Sequence, residues 1–139
     1  MDRRELGRVG EHTAAIRLEE EGYTVVGRNV RCGRYEIDLI AEDDVFVCFV
    51  EVKTRRQYPA SAPAGLNPGD AVDRRKRESL VKAAEAWLAA NPTDKIPRID
   101  VMEIWADPSS EVYRVLEIRH LENAVRKTAK FSPKRRSFL

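Results

Sequence analysis

The stretch EIDLIAEDDVFVCFVEVKTRR, Glu36 to Arg56, carries charge at the ends of two apolar runs, with Glu36 and Asp38 opening it and Glu51 and Lys53 near its close. Carboxylates beside an ammonium are the residue types that phosphodiester hydrolysis with a divalent cation uses. Mg²⁺ takes hard oxygen ligands in octahedral geometry, commonly one or two carboxylates plus waters and phosphate oxygens. Such a cation lowers the pKa of its water and neutralises charge on the phosphate, while a lysine alongside holds the phosphate or orients the attacking water. The competing reading is a salt-bridged strand end facing solvent, because an isolated Glu-X-Lys triplet arises constantly by chance.

Whether these charges meet depends on the strands that carry them. Side chains alternate faces along a strand, so Glu51 and Lys53 share a face, as do Glu36 and Asp38. In a hairpin without a bulge, Asp38 shares a face with Glu51 only if the connecting loop has an even number of residues. A turn at Asp44-Val45 sets Asp38 opposite Glu51 and Glu36 opposite Lys53, whereas a turn at Asp43-Asp44 sets Asp38 diagonal to Glu51. A three-residue loop, Glu42 to Asp44, sends the two acids to opposite sides unless a bulge corrects it. Glu11 adds a further carboxylate, since it precedes Ala14, Ala15 and Leu18 by three, four and seven residues and so falls on the inward stripe of a helix. A salt bridge or a frayed first turn would account for Glu11 alone. Two like charges about 4 Å apart repel by roughly 4 kcal/mol at an effective dielectric of about 20, so three acids in one cleft need a compensator. A proton, a cation such as Lys53 or Arg98, or a divalent metal would each serve.

The elements that must position these groups read as alternating helix and strand patterns. Val9, Ala14, Ala15 and Leu18 recur at helical spacing between Leu6 and Glu21, and Gly22 supplies the stop. Tyr23 to Val30 reads as a β-branched strand that Gly27 weakens or bends, and Glu36 to Ala41 as a second strand. Val45 to Lys53 is the third, apolar on both faces down to Val50 and therefore expected in the middle of a sheet covered on each side. Pro59, Pro63, Gly65, Pro68 and Gly69 predict a long loop between Thr54 and Val72, of a kind that often serves binding. Asp73 to Asn91 is an amphipathic helix with Leu80, Val81, Ala84, Trp87 and Leu88 on one face. Arg98 to Trp105 and Val112 to Ile118 read as a hairpin joined through DPSS, and LENAVRK after His120 as a short helix. The order α-β-β-β-α-β-β predicts an α/β fold with a central mixed sheet of about five strands flanked by helices, the Asp73 helix crossing over between parallel strands.

At 139 residues the chain is long enough for one core and too short for two. Residues 1–125 are expected to form the domain and 126–139 a basic, frayed tail. Charge from the second residue onward and the lack of any apolar run of membrane length predict a soluble, cytoplasmic protein. Cys32 and Cys48 stand apart without a Cys/His cluster, which argues against a zinc site and a disulfide framework. The net charge of +2 hides an uneven distribution: Arg119 to Leu139 contains seven Lys/Arg against one Glu.

EID followed thirteen residues after Asp38 by EVK resembles the PD-(D/E)XK nuclease signature, and the helix acid in GRVGEHTAAIRLEEEGY completes a pattern found in archaeal Holliday-junction resolvases. More closely, the chain is similar to the YraN-like bacterial family of restriction-endonuclease-like proteins. The similarity runs in order through GRVGEHTAA, GRNVRCGRYEIDLIA, FVEVKTRR, RRKRESLVKAAEAWLA and RIDVMEI. The resemblance implies Asp38 and Glu51 as ligands of Mg²⁺ (or Mn²⁺), Lys53 as the catalytic lysine and Glu11 as a further metal or water contact. Glu36, Arg98 and Asp100 stand as supporting neighbours. Tyr35 replaces the glycine usual before EID in that family, bringing a ring that packs at the strand start or stacks on a base.

Substrate binding must neutralise phosphates, and the candidates are Arg55, Arg56, Arg74, Arg75, Lys76 and Arg77, with the basic tail behind them. His12 and His120 are isolated and receive no role. The expectation is a metal-dependent DNA endonuclease-like protein acting on branched or damaged DNA, with homodimerisation as in related resolvases. The alternative is a nucleic-acid-binding or partner-binding module that retains the fold without turnover.

Overall fold

Asp2 starts the first helix earlier than apolar spacing suggests. Its carboxylate accepts from the Glu5 amide at 2.8 Å, while Glu5 reaches back to the Asp2 amide at 3.4 Å. This reciprocal cap satisfies two of the donors a helix N-terminus leaves without partners, and α1 runs Arg3–Glu20. In the computed structural model, residues 1–59 and 73–125 are described. The elements after α1 are β1 (Thr24–Cys32), β2 (Tyr35–Glu42), β3 (Phe46–Arg56), α2 (Arg74–Ala90), β4 (Ile96–Ala106) and β5 (Val115–Val125). They follow the order read from the sequence.

The strands form one mixed sheet in the order β1-β2-β3-β4-β5. β1 with β2, β2 with β3 and β4 with β5 are antiparallel; β3 with β4 is parallel, as the intervening α2 requires. Each face is covered by one helix. Ala14, Ala15 and Leu18 of α1 pack on Leu39, Ala41, Cys48, Val50, Met102 and Ile104. Leu80, Ala83 and Ala84 of α2 pack on Ile40, Val47, Phe49, Ile99 and Val101 on the other side. β3 is thus buried on both faces from Val47 to Val50, and Cys32 and Cys48 are free thiols serving these cores. Gly27 falls where the β1–β2 register shifts, so the glycine marks a bulge.

One close approach sets the position of α1. A Cβ at Gly10 would lie 1.8 Å from Thr54 Oγ1, so the helix meets the end of β3 only because position 10 carries a hydrogen. That contact brings the next residue, Glu11, toward the strand ends.

Two sequence expectations are corrected. β3 continues through Arg56, which pairs with Ala106, so the connection to α2 starts later than Thr54; its span from 60 to 72 lies outside the described residues. The second hairpin strand is Val115–Val125 rather than Val112 to Ile118, and LENAV belongs to it rather than to a helix. The misleading feature is a bulge: the register shifts between Ile99 and Val101, and Asn123 turns left-handed at φ 53 with its amide donating to Asp100 Oδ1 at 2.9 Å. Asn tolerates that conformation, and the irregularity erases the two-residue alternation of a strand. The expected tail, 126–139, lies outside the described residues. Among the described residues no helix is long and apolar enough to cross a membrane.

Candidate metal centre

The β2–β3 turn decides whether the acids share a face. Asp43 Oδ1 accepts from the amides of Val45 at 2.8 Å and Phe46 at 2.7 Å, while the Asp43 amide donates to the Phe46 carbonyl at 3.0 Å. The connecting residues are therefore Asp44 and Val45, and Glu42 faces Val47, Ala41 faces Cys48, Ile40 faces Phe49 and Leu39 faces Val50. The next pair in that register is Asp38 with Glu51. The backbone ladder stops before it, and Asp38 Oδ2 instead accepts from the Val52 amide at 2.8 Å. A side chain takes the place of a strand partner at the point where the carboxylates meet.

Glu51 is nearly inaccessible, with 4% of its side chain exposed, and two ammonium groups approach its Oε2: Lys53 Nζ at 3.5 Å and Lys76 Nζ at 3.2 Å. Burial, a hydrogen bond shared with Glu51 and repulsion from its charge push the Asp38 carboxyl up to about 8, against the opposing pull of the Val52 amide. Of the compensators the sequence allows, two lysines contact Glu51, and the raised Asp38 carboxyl favours a proton between the acids. Because Asp38 binds its proton more tightly folded than unfolded, metal-free stability falls as pH rises from about 4 to about 8. Urea unfolding at pH 5 and pH 8 is expected to show this decline in the wild type and a flatter one in Asp38→Asn; an equally steep decline in the variant would mean the pair shares no proton.

Glu11 faces the same region from α1. Burial raises its pKa, a hydrogen bond from the Asn29 side chain opposes the rise, and the charges of Glu36 and Glu51 add to it. Asn29 is one of two non-glycine residues at positive φ among those described, at 48°. Glu36 is more exposed and pairs with Arg31 at 3.6 Å. Among the described residues no three His, Cys, Asp or Glu side chains converge to hold a metal; the charge of Glu11 adds to the rise of the Asp38 carboxyl. Two carboxylates with room left for waters and phosphate oxygens are a donor set that suits Mg²⁺ or Mn²⁺.

Arg98 and Asp100 are placed elsewhere. Their ladder partners Cys48 and Val50 belong to the α1-side core, so they project from the face opposite Val47 and Phe49. Arg98 forms a two-pronged pair with Asp100 at 2.9 Å and 2.9 Å and also donates to Tyr23 Oη at 2.6 Å. His120 Nε2 lies 2.7 Å from Asp100 Oδ2, and its Nδ1 2.5 Å from Glu21 Oε1. The two residues are occupied by a buried network linking the end of α1 to β4 and β5.

The basic candidates divide in the same way. Arg55 pairs with Glu103 at 3.4 Å and lies over the Trp105 ring at 5.5 Å, and Arg56 donates to the Ser110 carbonyl at 2.7 Å. Arg74, Arg75 and Arg77 are exposed on the first turn of α2, Arg74 pairing with Glu78 at 3.4 Å. Lys76 turns inward to Glu51. Arg34 lies 5.7 Å from the Tyr35 ring centroid at the start of β2.

Sequence reasoning placed Lys76 only among the phosphate contacts and missed its pairing with Glu51; it also missed Asn29 beside Glu11, and Tyr23 and His120 in the separate Arg98–Asp100 network. Lys76 sits in a run of four basic residues, RRKR, in which nothing singles it out; its place three residues after the cap Asp73 is the one usable signal, because it fixes which side chain of the turn faces the sheet. Asn29 and His120 find their partners only through tertiary packing.

A family profile described as "Uncharacterised protein family UPF0102" matches residues 10–104. The chain is 43% identical over 122 residues to a UPF0102 protein of Chlorobium phaeobacteroides strain BS1, covering 86% of this chain and 93% of the relative. It is 36% identical over 125 residues to one of Caldanaerobacter subterraneus subsp. tengcongensis, covering 89% and 97%. A third, from Symbiobacterium thermophilum, is 38% identical over 122 residues, covering 87% and 96%. The matched span begins at the glycine that seats α1, contains Glu11, Asp38, Glu51, Lys53 and Lys76, and ends within β4; with similarity extending over nearly the whole of these relatives, the chain belongs to the UPF0102 family.

Proposed function

We propose that this chain is a metal-dependent endonuclease-like protein of the PD-(D/E)XK type that hydrolyses phosphodiester bonds in branched or damaged DNA. The observation that carries the reading is the Asp38–Glu51 pair, held in register by the Asp44-Val45 turn and flanked by Lys53. Asp38 and Glu51 would hold Mg²⁺ or Mn²⁺, and Glu11 would add negative charge behind them. The cation supplies a water of lowered pKa and neutralises developing phosphate charge. Lys53 holds the phosphate or the attacking water, and Arg74 and Arg75 attract the nucleic-acid backbone.

Calorimetric titration of Mn²⁺ and Mg²⁺ tests the centre. Binding is expected in the wild type and lost in Glu51→Gln, and equal heats from both would remove it. A second reading, a binding module without turnover, is favoured by one observation: Glu51 already has two lysine partners to balance its charge. In either reading DNA affinity falls as salt rises, because neutralised phosphates release counterions.

A further inference from the structure

Glu51 Oε2 has two ammonium partners, and only the local one follows from spacing along a strand. Lys53 reaches it from two residues away on β3, whereas Lys76 reaches it from α2 and comes closer, at 3.2 Å against 3.5 Å. The Lys76 backbone is anchored, since its amide donates to the cap residue Asp73 at 2.8 Å. Its side chain is not enclosed: 41% remains exposed, compared with 4% for the carboxylate it contacts.

We propose that Lys76 is a displaceable latch on Glu51 that becomes a phosphate-binding residue when a divalent cation takes that carboxylate. The inference rests on the metal-centre reading above. A dication competes with the two ammonium groups for this carboxylate, because each ammonium repels the cation at contact distance. Lys53 is confined to the sheet by the paired backbone on either side of it, whose ladder to β4 runs unbroken from Phe46 to Arg56. Solvent access does not separate the two, at 41% for Lys76 and 37% for Lys53; Lys76 comes from a separate element, so it is the group that withdraws without disturbing the sheet. A withdrawn Lys76 stays within a side chain's length of the cation, where substrate phosphate oxygens would lie. A compact ammonium on a flexible stem suits this change of partner, since it needs no fixed bidentate geometry. Cation binding and the basic first turn of α2 are thereby coupled: without metal the turn is tied to β3, and with metal its charge is offered to the substrate.

The test compares the full-length wild type, Lys76→Gln and Lys76→Arg by Mn²⁺ titration calorimetry, and by binding to a short duplex oligonucleotide with Ca²⁺ present, with urea midpoints confirming that each variant folds. Lys76→Gln is expected to bind Mn²⁺ roughly 3–10-fold more tightly, its competitor gone, and the oligonucleotide roughly 3–10-fold more weakly. Lys76→Arg, which keeps the charge, should return both values toward the wild type. A local structural defect would weaken both, so opposite movements isolate the latch. Equal or weaker Mn²⁺ binding by Lys76→Gln, with wild-type binding intact, overturns the inference alone. Tighter Mn²⁺ binding with unchanged oligonucleotide affinity overturns the phosphate-binding half, and no Mn²⁺ binding by the wild type overturns the metal centre and the latch together.

Discussion

Replacing Lys53 by alanine is expected to lower Mn²⁺-dependent cleavage of DNA by roughly 10²–10³-fold, the usual loss when one preorganised donor to a developing charge is removed. The effect should fall on turnover rather than on metal binding. Lys53 is not an oxygen ligand; it sits 3.5 Å from Glu51 Oε2 with 37% of its side chain exposed, so its ammonium can reach a phosphate beside the carboxylate. Removing it leaves Asp38 and Glu51 in place and takes away one competitor for the cation. Mn²⁺ affinity should therefore hold or rise slightly while the rate of the chemical step collapses. The assay is single-turnover cleavage of duplex, flapped and four-way-junction DNA with Mn²⁺, beside calorimetry on the same preparations. Equal cleavage by Lys53→Ala, or no cleavage of any substrate by the wild type, would leave the binding-module reading in possession.

The second large effect concerns stability and lies on the opposite face of the sheet. Asp100→Ala is expected to destabilise the fold by about 3–5 kcal/mol, because it strands the buried charge of Arg98 and removes the acceptors of His120 and the bulged Asn123 amide. For a chain of this length that corresponds to a fall of roughly 10–20 °C in melting temperature. Glu122→Ala is the contrast: Glu122 also pairs with Arg98, at 3.5 Å, but 56% of its side chain is exposed, and its loss should cost about 0–1 kcal/mol. If both variants lose the same amount, the network adds nothing through its burial.

The pH dependence of this network has a definite sign. Burial alone would raise Asp100, yet hydrogen bonds from His120, Arg98 and the Asn123 amide hold it below the usual carboxylate range. Its contribution is complete above about pH 4 and is lost as pH falls through the folded-state value. Burial alone would lower His120, but its contacts with Asp100 and Glu21 raise it above 6.5. That contribution is complete below 6.5 and is lost as pH rises through the raised value. The gap between wild type and Asp100→Ala should therefore be widest between about pH 4 and pH 6.5 and narrow on either side.

The parts of this structure that were legible in the sequence are those governed by short-range periodicity. The α2 face of Leu80, Ala84 and Trp87, the two-sided burial of β3 and the bend at Gly27 each follow from residues within one element. The turn was narrowed to a few candidates, and the Asp43 side chain, bonded to the Val45 and Phe46 amides, is what selects among them. β5 was misread because its pattern is interrupted by a left-handed Asn whose amide is satisfied by Asp100, 23 residues earlier. Lys76 and Glu51 lie 25 residues apart, and no local rule connects them. Read along the chain, Arg98 is an available cation for the acidic cluster, but the faces of a strand are assigned by its neighbours, and Cys48 and Val50 take it to the α1 side.

The Asp44-Val45 turn also bears on how this gene can change. Surface turns are ordinarily where chains absorb insertions and deletions most freely, because a few added residues cost little loop-closure entropy. The exposed tip of the β2–β3 hairpin has that freedom because the register it closes is held by the buried residues Leu39 to Ala41 and Val47 to Val50. An insertion of one residue would loop out and lose the Asp43 bonds to the Val45 and Phe46 amides, while the buried faces of β2 and β3 keep Asp38 opposite Glu51. Length variation at this solvent-facing tip is thus tolerated, whereas a one-codon insertion inside β2, between Asp38 and Glu42, would turn Asp38 to the other side of the sheet and be as damaging as replacing it.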